Sequence, residues 1–234
     1  MRERQEIRFT SRLSRLQTVL VLLWLPVHVY GLPWLLYSVV GVKDSVELNF
    51  LTYLIGAVFL LLVCARFLRR DFDMLCEQPF RIFLQVLGCY AAMLLMNMAV
   101  SGLVSVFVDA LENPNNETVM DMVGEQYGKM SAVAIFLAPF VEELIFRAGI
   151  FGTLRRRSRW AAYAVSMLLF SIYHVWGYAL TDPALWIYLL QYLPAAYLLC
   201  RCYEYCDSIW GSYFLHMLIN FISIKALMLL EELL

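Results

Sequence analysis

The sequence predicts an all-α fold, a polytopic membrane bundle of about seven transmembrane helices with a cytoplasmic N-terminus. Three observations predict it. Of 234 residues, 62% are hydrophobic and only 16% are charged, whereas a soluble domain carries about 25% charged residues. The mean hydropathy is +0.69, and the apolar residues fall in long runs, which is what a bilayer core of about 30 Å demands of a helix. Basic residues gather in alternate connections, as expected where positive charge stays on the cytoplasmic side. The formal net charge of −1 leaves no electrostatic footprint for a nucleic-acid partner, so the lipid bilayer is the expected surrounding.

The apolar segments lie at about 17–41, 49–66, 82–109, 131–152, 160–178, 184–200 and 208–230. The first contains Pro26 and Pro33 and is expected to be kinked or broken midway. Its run from Leu16 to Val42 is longer than the about 7–15-residue core of a cleaved signal peptide, so it reads as a retained helix. The third is too long for an upright span and is expected to tilt, or to protrude near Asp109. Arg2, Arg4, Arg8, Arg12 and Arg15 precede the first segment. Arg66, Arg69, Arg70 and Arg81 mark the second connection, Arg155, Arg156, Arg157 and Arg159 the fourth, and Arg201 the sixth. The other connections hold Lys43, Lys129 or no base at all. The run Arg155 to Arg157 reads as a topology anchor. The connection 110–129 reads as the main exposed loop, and its Asn116-Glu117-Thr118 triplet is too common a pattern to interpret.

The cysteines Cys64, Cys76, Cys89, Cys200, Cys202 and Cys206 do not form a disulfide framework, and the last three read as reduced thiols of a cytoplasmic loop. A single integral domain, 1–234, with a motif-bearing core at about 131–230 is expected. The expected location is a bacterial cytoplasmic membrane.

Ionisable residues inside apolar segments carry the functional information. They stand in Glu142-Glu143-Leu144-Ile145-Phe146-Arg147, in Phe170-Ser171-Ile172-Tyr173-His174 and in His216-Met217-Leu218-Ile219-Asn220. A charge near mid-bilayer costs about 2.5–3.5 kcal/mol, so such residues must pair or face a wet cavity. Glu143 and Arg147 are one helical turn apart and can pair, whereas Glu142 is rotated by about 100° and can face elsewhere. His216 and Asn220 share a face, as do Phe170 and His174. Converging, the three helices supply a carboxylate, two imidazoles and a carboxamide. Glu142 can act as general base on a water shared with His174, and His216 and Asn220 can donate to the oxyanion of a tetrahedral intermediate. On the segment boundaries above, Glu142 falls near mid-membrane and His174 near the outer end of its segment. Strong tilt, or extension of that helix through Trp176 to Tyr178, would bring them level. His28, beside Pro26, reads as structural. Asn97, Gln85 and Gln191 read as interhelical hydrogen-bond partners.

At these residues the chain resembles the CPBP family, the CAAX-protease and bacteriocin-processing membrane proteins. That family is marked by EExxxR, FxxxH and HxxxN motifs on separate helices, here Glu142 to Arg147, Phe170 to His174 and His216 to Asn220, with Pro139 and Gly149 flanking the first. The resemblance implies a helical bundle and an intramembrane endopeptidase. In it Glu142 and His174 activate water, His216 and Asn220 form the oxyanion hole, and Glu143, Arg147 and Phe170 support them. The implied partner is a peptide or a membrane-protein substrate, with no cofactor favoured. Residues 1–130 carry no motif. Two alternatives remain at this stage. One is a zinc protease with Glu142, His174 and His216 as ligands, although HExxH is absent. The other is a non-catalytic scaffold or immunity protein that binds a peptide or an envelope enzyme. A proton-coupled transporter is disfavoured, because no inverted repeat is visible.

Overall fold

The computed structural model describes residues 9–107 and 113–233, and the regular structure among them is helical. Helix α1 (Arg15–Val40) starts at a capping box in which Ser14 Oγ accepts from the Gln17 N–H and Gln17 accepts from the Ser14 N–H. The expected break at the prolines does not occur. The chain stays helical, with π-type turns at Val27–Gly31 and Leu36–Val40, each shortly after a proline. Pro33 has no N–H to give Val29 O, and directly before it the chain takes the wider Val27–Gly31 turn, in which the Leu32 N–H bonds Val27 O, so the helix is not unwound. The helix stops at Gly41, whose φ of +87° is the left-handed conformation that glycine adopts without steric cost.

Helix α2 (Ser45–Glu77) is capped by Asp44, and α3 (Pro79–Val104) follows after Gln78. Next come α4 (Pro114–Glu125), α5 (127–154) and α6 (Arg159–Ala179). A 3₁₀ turn, Pro183–Tyr188, leads into α7 (Leu189–Cys206), and α8 (Ile209–Leu233) ends the chain. Among the described residues five helices are long and apolar enough to cross a membrane: Arg15–Val40, Ser45–Glu77, Pro79–Val104, Pro183–Cys206 and Ile209–Leu229. They support an integral-membrane, all-helical bundle. α5 and α6, which bear two of the three motifs, are not among these five.

Several boundaries differ from expectation. Residues 114–125 are helical rather than an exposed loop, with Asn113 as N-cap and Met120 and Val123 buried. Those two apolar positions, three apart, form a face that the surrounding Asn and Glu residues mask in a composition-based reading. Asn113 also ties α4 to α7, donating to Gln191 Oε1 at 2.7 Å and accepting from the Tyr192 hydroxyl at 3.1 Å. The connections are shorter than expected as well. Arg66, Arg69 and Arg70 lie on α2, Arg81 on α3 and Arg201 on α7. Cys200, Cys202 and Cys206 are buried on α7, not in a loop. Arg and Cys do not stop a helix. Asp207, at φ +50°, ends α7. Gln85 contacts Cys89 of its own helix, not a neighbouring one. The expectations for Arg2, Arg4, Arg8 and Asp109 lie outside the described residues.

These basic ends meet. Asp207 accepts from the Thr10 and Ser11 N–H groups, the Ser11 hydroxyl donates to Asp71, and Arg156 donates to Leu13 O. Arg155, Arg159 and Tyr163 hold the fully buried Glu204. One polar cluster therefore joins the N-terminal segment to the ends of α2, α5, α6 and α7. In the interior α5 is central, with every residue from Val141 to Gly152 buried. α1 lies directly against it at Gly149, where a Cβ would meet Val21 Cγ1 at 2.9 Å.

Candidate active site

The site forms where α5, α6 and α8 cross beside α2. On α5 a π-type turn, Val133–Leu137, sends the Ala138 N–H to Val133 O, and the next residue, Pro139, has no N–H to offer. Ala134 O, short of a donor from its own helix, accepts instead from Asn220 Nδ2 at 2.7 Å. The position of Asn220 on α8 is therefore set by a backbone irregularity of α5. Only one of its two amide hydrogens is used in this way.

Glu143 and Glu142 face different neighbours, as the helical rotation demands. Glu143 Oε1 is 3.1 Å from Arg147 Nη1 and 2.9 Å from His216 Nδ1, with both charged side chains essentially inaccessible. The Arg147 guanidinium lies 4.1 Å above the Phe170 ring centroid, a cation–π contact that covers it. Glu142 instead lines a cavity of about 810 Å³ together with His174, His216, Asn220 and Tyr53. Its Oε1 accepts from the Tyr53 hydroxyl at 3.3 Å. Its Oε2 is 3.7 Å from His174 Nε2 and 3.8 Å from His216 Nε2. Those separations exceed a direct hydrogen bond, and a polar contact of that length has room for a bridging water.

The two imidazoles are oriented from behind. His174 Nδ1 is 2.8 Å from Phe170 O, one turn earlier on α6, and the ring stacks on Tyr192 at 4.6 Å and 24°. The mismatch expected between His174 and Glu142 is absent, since the two side chains come within 3.7 Å although α6 ends at Ala179, one residue past the expected segment. The nine residues Glu143–Phe151 are also π-helical. Across this contact Ser166 donates to Phe146 O at 2.9 Å. The structure thus brings Glu142, His174 and His216 together around one carboxylate oxygen, with Asn220 on the same cavity and Glu143, Arg147 and Phe170 behind them.

Three neighbours escape a reading of the sequence. Tyr53 and Tyr173, whose hydroxyls are 2.9 Å apart, and Tyr192 all border the site. With 14 tyrosines in the chain, nothing in local pattern separates these from tyrosines that face lipid. His28 stands edge-on to Tyr53 at 4.8 Å and lines the cavity. Gln191 does bond another helix, while Asn97 turns to the cavity, where its Oδ1 has no hydrogen-bond partner among the described residues. Among the described residues no group of three or more His, Cys, Asp and Glu side chains is arranged to hold a metal ion.

Comparison with known proteins adds one finding. Residues 126–222 match the family model described as Rce1-like, Type II CAAX prenyl endopeptidase Rce1-like. A search of curated proteins and a search of solved structures each return no match. The matched region contains Glu142, Glu143, Arg147, Phe170, His174, His216 and Asn220 and excludes α1 to α4. Over that region, less than half of the chain, the sequence is similar to a CAAX-protease-like domain, and the general activity this similarity supports is that of a protease.

Proposed function

We propose that this chain is an intramembrane endopeptidase of the CPBP type, cutting a peptide or a membrane-associated protein with a water activated by Glu142. The observation that carries the reading is the placement of one carboxylate oxygen, Glu142 Oε2, within 3.8 Å of two imidazole Nε2 atoms at a cavity wall. With His174 Nδ1–H directed to Phe170 O, the ring offers an Nε2 lone pair. A water held between Glu142 Oε2 and His174 Nε2 gives one hydrogen to each and turns its lone pair to a carbonyl carbon. As it attacks, Glu142 takes a proton and the carbonyl oxygen becomes an oxyanion. His216, with Nδ1–H given to Glu143, presents Nε2–H when its ring is doubly protonated, and Asn220 offers its second amide hydrogen. These donors stabilise the oxyanion, and the proton held by Glu142 passes to the leaving amine as the intermediate collapses. No step needs a metal.

The reading includes one domain over 1–234, seven spans and an N-terminus at the cytoplasmic face of a bacterial cytoplasmic membrane. The clustering of Arg155, Arg156, Arg159 and Arg81 contacts at one end of the bundle supports that orientation. The test compares, by mass spectrometry, peptides from membranes containing wild type or Glu142→Ala. Fragments present only with wild type are expected and nominate the substrate. Identical peptide profiles, with the cellular phenotype retained in the variant, would instead identify a binding protein without peptidase activity.

A further inference from the structure

The family match begins at Gln126, yet one side chain that touches Glu142 comes from well before it. Tyr53 stands on α2, and its hydroxyl donates to Glu142 Oε1 at 3.3 Å while lying 2.9 Å from the hydroxyl of Tyr173 on α6. A phenol carries a single hydrogen. With the Tyr53 hydrogen directed to the carboxylate, Tyr173 must be the donor in the second bond. The relay therefore runs from Tyr173 through Tyr53 to Glu142. The Tyr53 ring is braced edge-on by His28 at 4.8 Å. Gly56 makes room for that imidazole, since a Cβ there would lie 3.2 Å from His28 Nδ1.

A free glutamate can turn either oxygen toward a cavity. Holding Oε1 leaves Oε2 as the oxygen that faces both Nε2 atoms. The geometry points to Tyr53 as a positioning residue for the Glu142 base, with Tyr173 fixing its hydroxyl, so that the N-terminal half of the chain completes a site whose motifs all lie in the C-terminal half. This rests on the peptidase reading above and adds a residue to it.

The experiment uses the full-length chain in detergent micelles and a quenched-fluorescent peptide spanning the cleavage site found in the membrane comparison. Tyr53→Phe keeps the ring against His28 and removes only the hydroxyl. A hydrogen bond to a charged group is lost, so kcat is expected to fall about 10- to 100-fold with KM within about threefold of wild type. Tyr173→Phe is expected to lose less, in the same direction, and it still tests the relay if Tyr53→Phe fails to fold. A second readout does not depend on turnover. In infrared difference spectra with isotope-labelled glutamate, Tyr53→Phe should shift a carboxyl band, and that shift should vanish in a Glu142→Gln background. An unshifted band, a kcat within about twofold of wild type, or a loss confined to KM would overturn the positioning role. Wild-type cleavage by Glu142→Gln would sink the peptidase reading itself. An inactive Glu142→Gln beside an unaffected Tyr53→Phe would sink the Tyr53 role alone.

Discussion

Arg147→Met is the most informative stability perturbation in the molecule. Glu143 and Arg147 are 1% and 0% exposed at the side chain, and Glu143 Oε1 is shared between Arg147 Nη1 and His216 Nδ1. Methionine matches much of the arginine volume, so packing against Phe170 is largely kept and the removed element is charge. Glu143 is then left as a carboxylate in the bundle interior with an imidazole for company and no permanent cation. Breaking a buried ion pair from one side costs about 3–5 kcal/mol, a large share of the about 5–15 kcal/mol that stabilises a typical domain. Neutralising both members, in Glu143→Gln with Arg147→Met, removes the orphaned charge, and most of the loss should be recovered. The double-mutant cycle is therefore expected to show a coupling of about 2 kcal/mol or more. The assay is equilibrium unfolding by increasing SDS fraction in mixed micelles, followed by tryptophan fluorescence and far-ultraviolet circular dichroism. A single variant within about 1 kcal/mol of wild type, or a double variant as unstable as the sum of the singles, would show that the pair does not hold the core in this way.

Other expectations follow from the same contacts. Gly149→Ala places a Cβ 2.9 Å from Val21 Cγ1 and should destabilise the chain by about 1–3 kcal/mol. Val21→Ala should rescue it, and a failure to rescue in the same unfolding assay would mean that α1 does not rest on α5 at this point. Asn220→Ala leaves Ala134 O without its side-chain donor, costing about 1–3 kcal/mol in unfolding and removing an oxyanion donor from the cleavage assay. Stability unchanged in Asn220→Ala would contradict the bond to Ala134. Treatment with EDTA or phenanthroline should leave cleavage intact, whereas loss restored by added zinc would overturn the metal-independent mechanism.

The apolar runs and the residues that interrupt them are legible in the sequence alone. A side chain that is costly in lipid stands out wherever it occurs, so Glu142, Glu143, Arg147, His174 and His216 announce themselves by composition. Helical spacing alone pairs Glu143 with Arg147 and turns Glu142 away from them, because a rotation of about 100° per residue is local geometry. Helix ends were less legible. Arg69 or Arg201 continues a helix as readily as it ends one, and the polarity of 114–125 hides the apolar pair Met120 and Val123.

Only the tertiary structure decides what crosses between helices. Tyr53 is 89 residues from Glu142 in sequence, and a tyrosine in a membrane helix is as acceptable at the lipid interface as in a core. That Asn220 satisfies Ala134 O depends on a π-type turn and a proline on another helix. Likewise the 3.7 Å approach of His174 to Glu142 depends on how α6 packs against α5. Sequence patterns report the energy of single residues against their solvent. Hydrogen bonds between distant segments depend on how whole helices pack, and no local pattern encodes that packing.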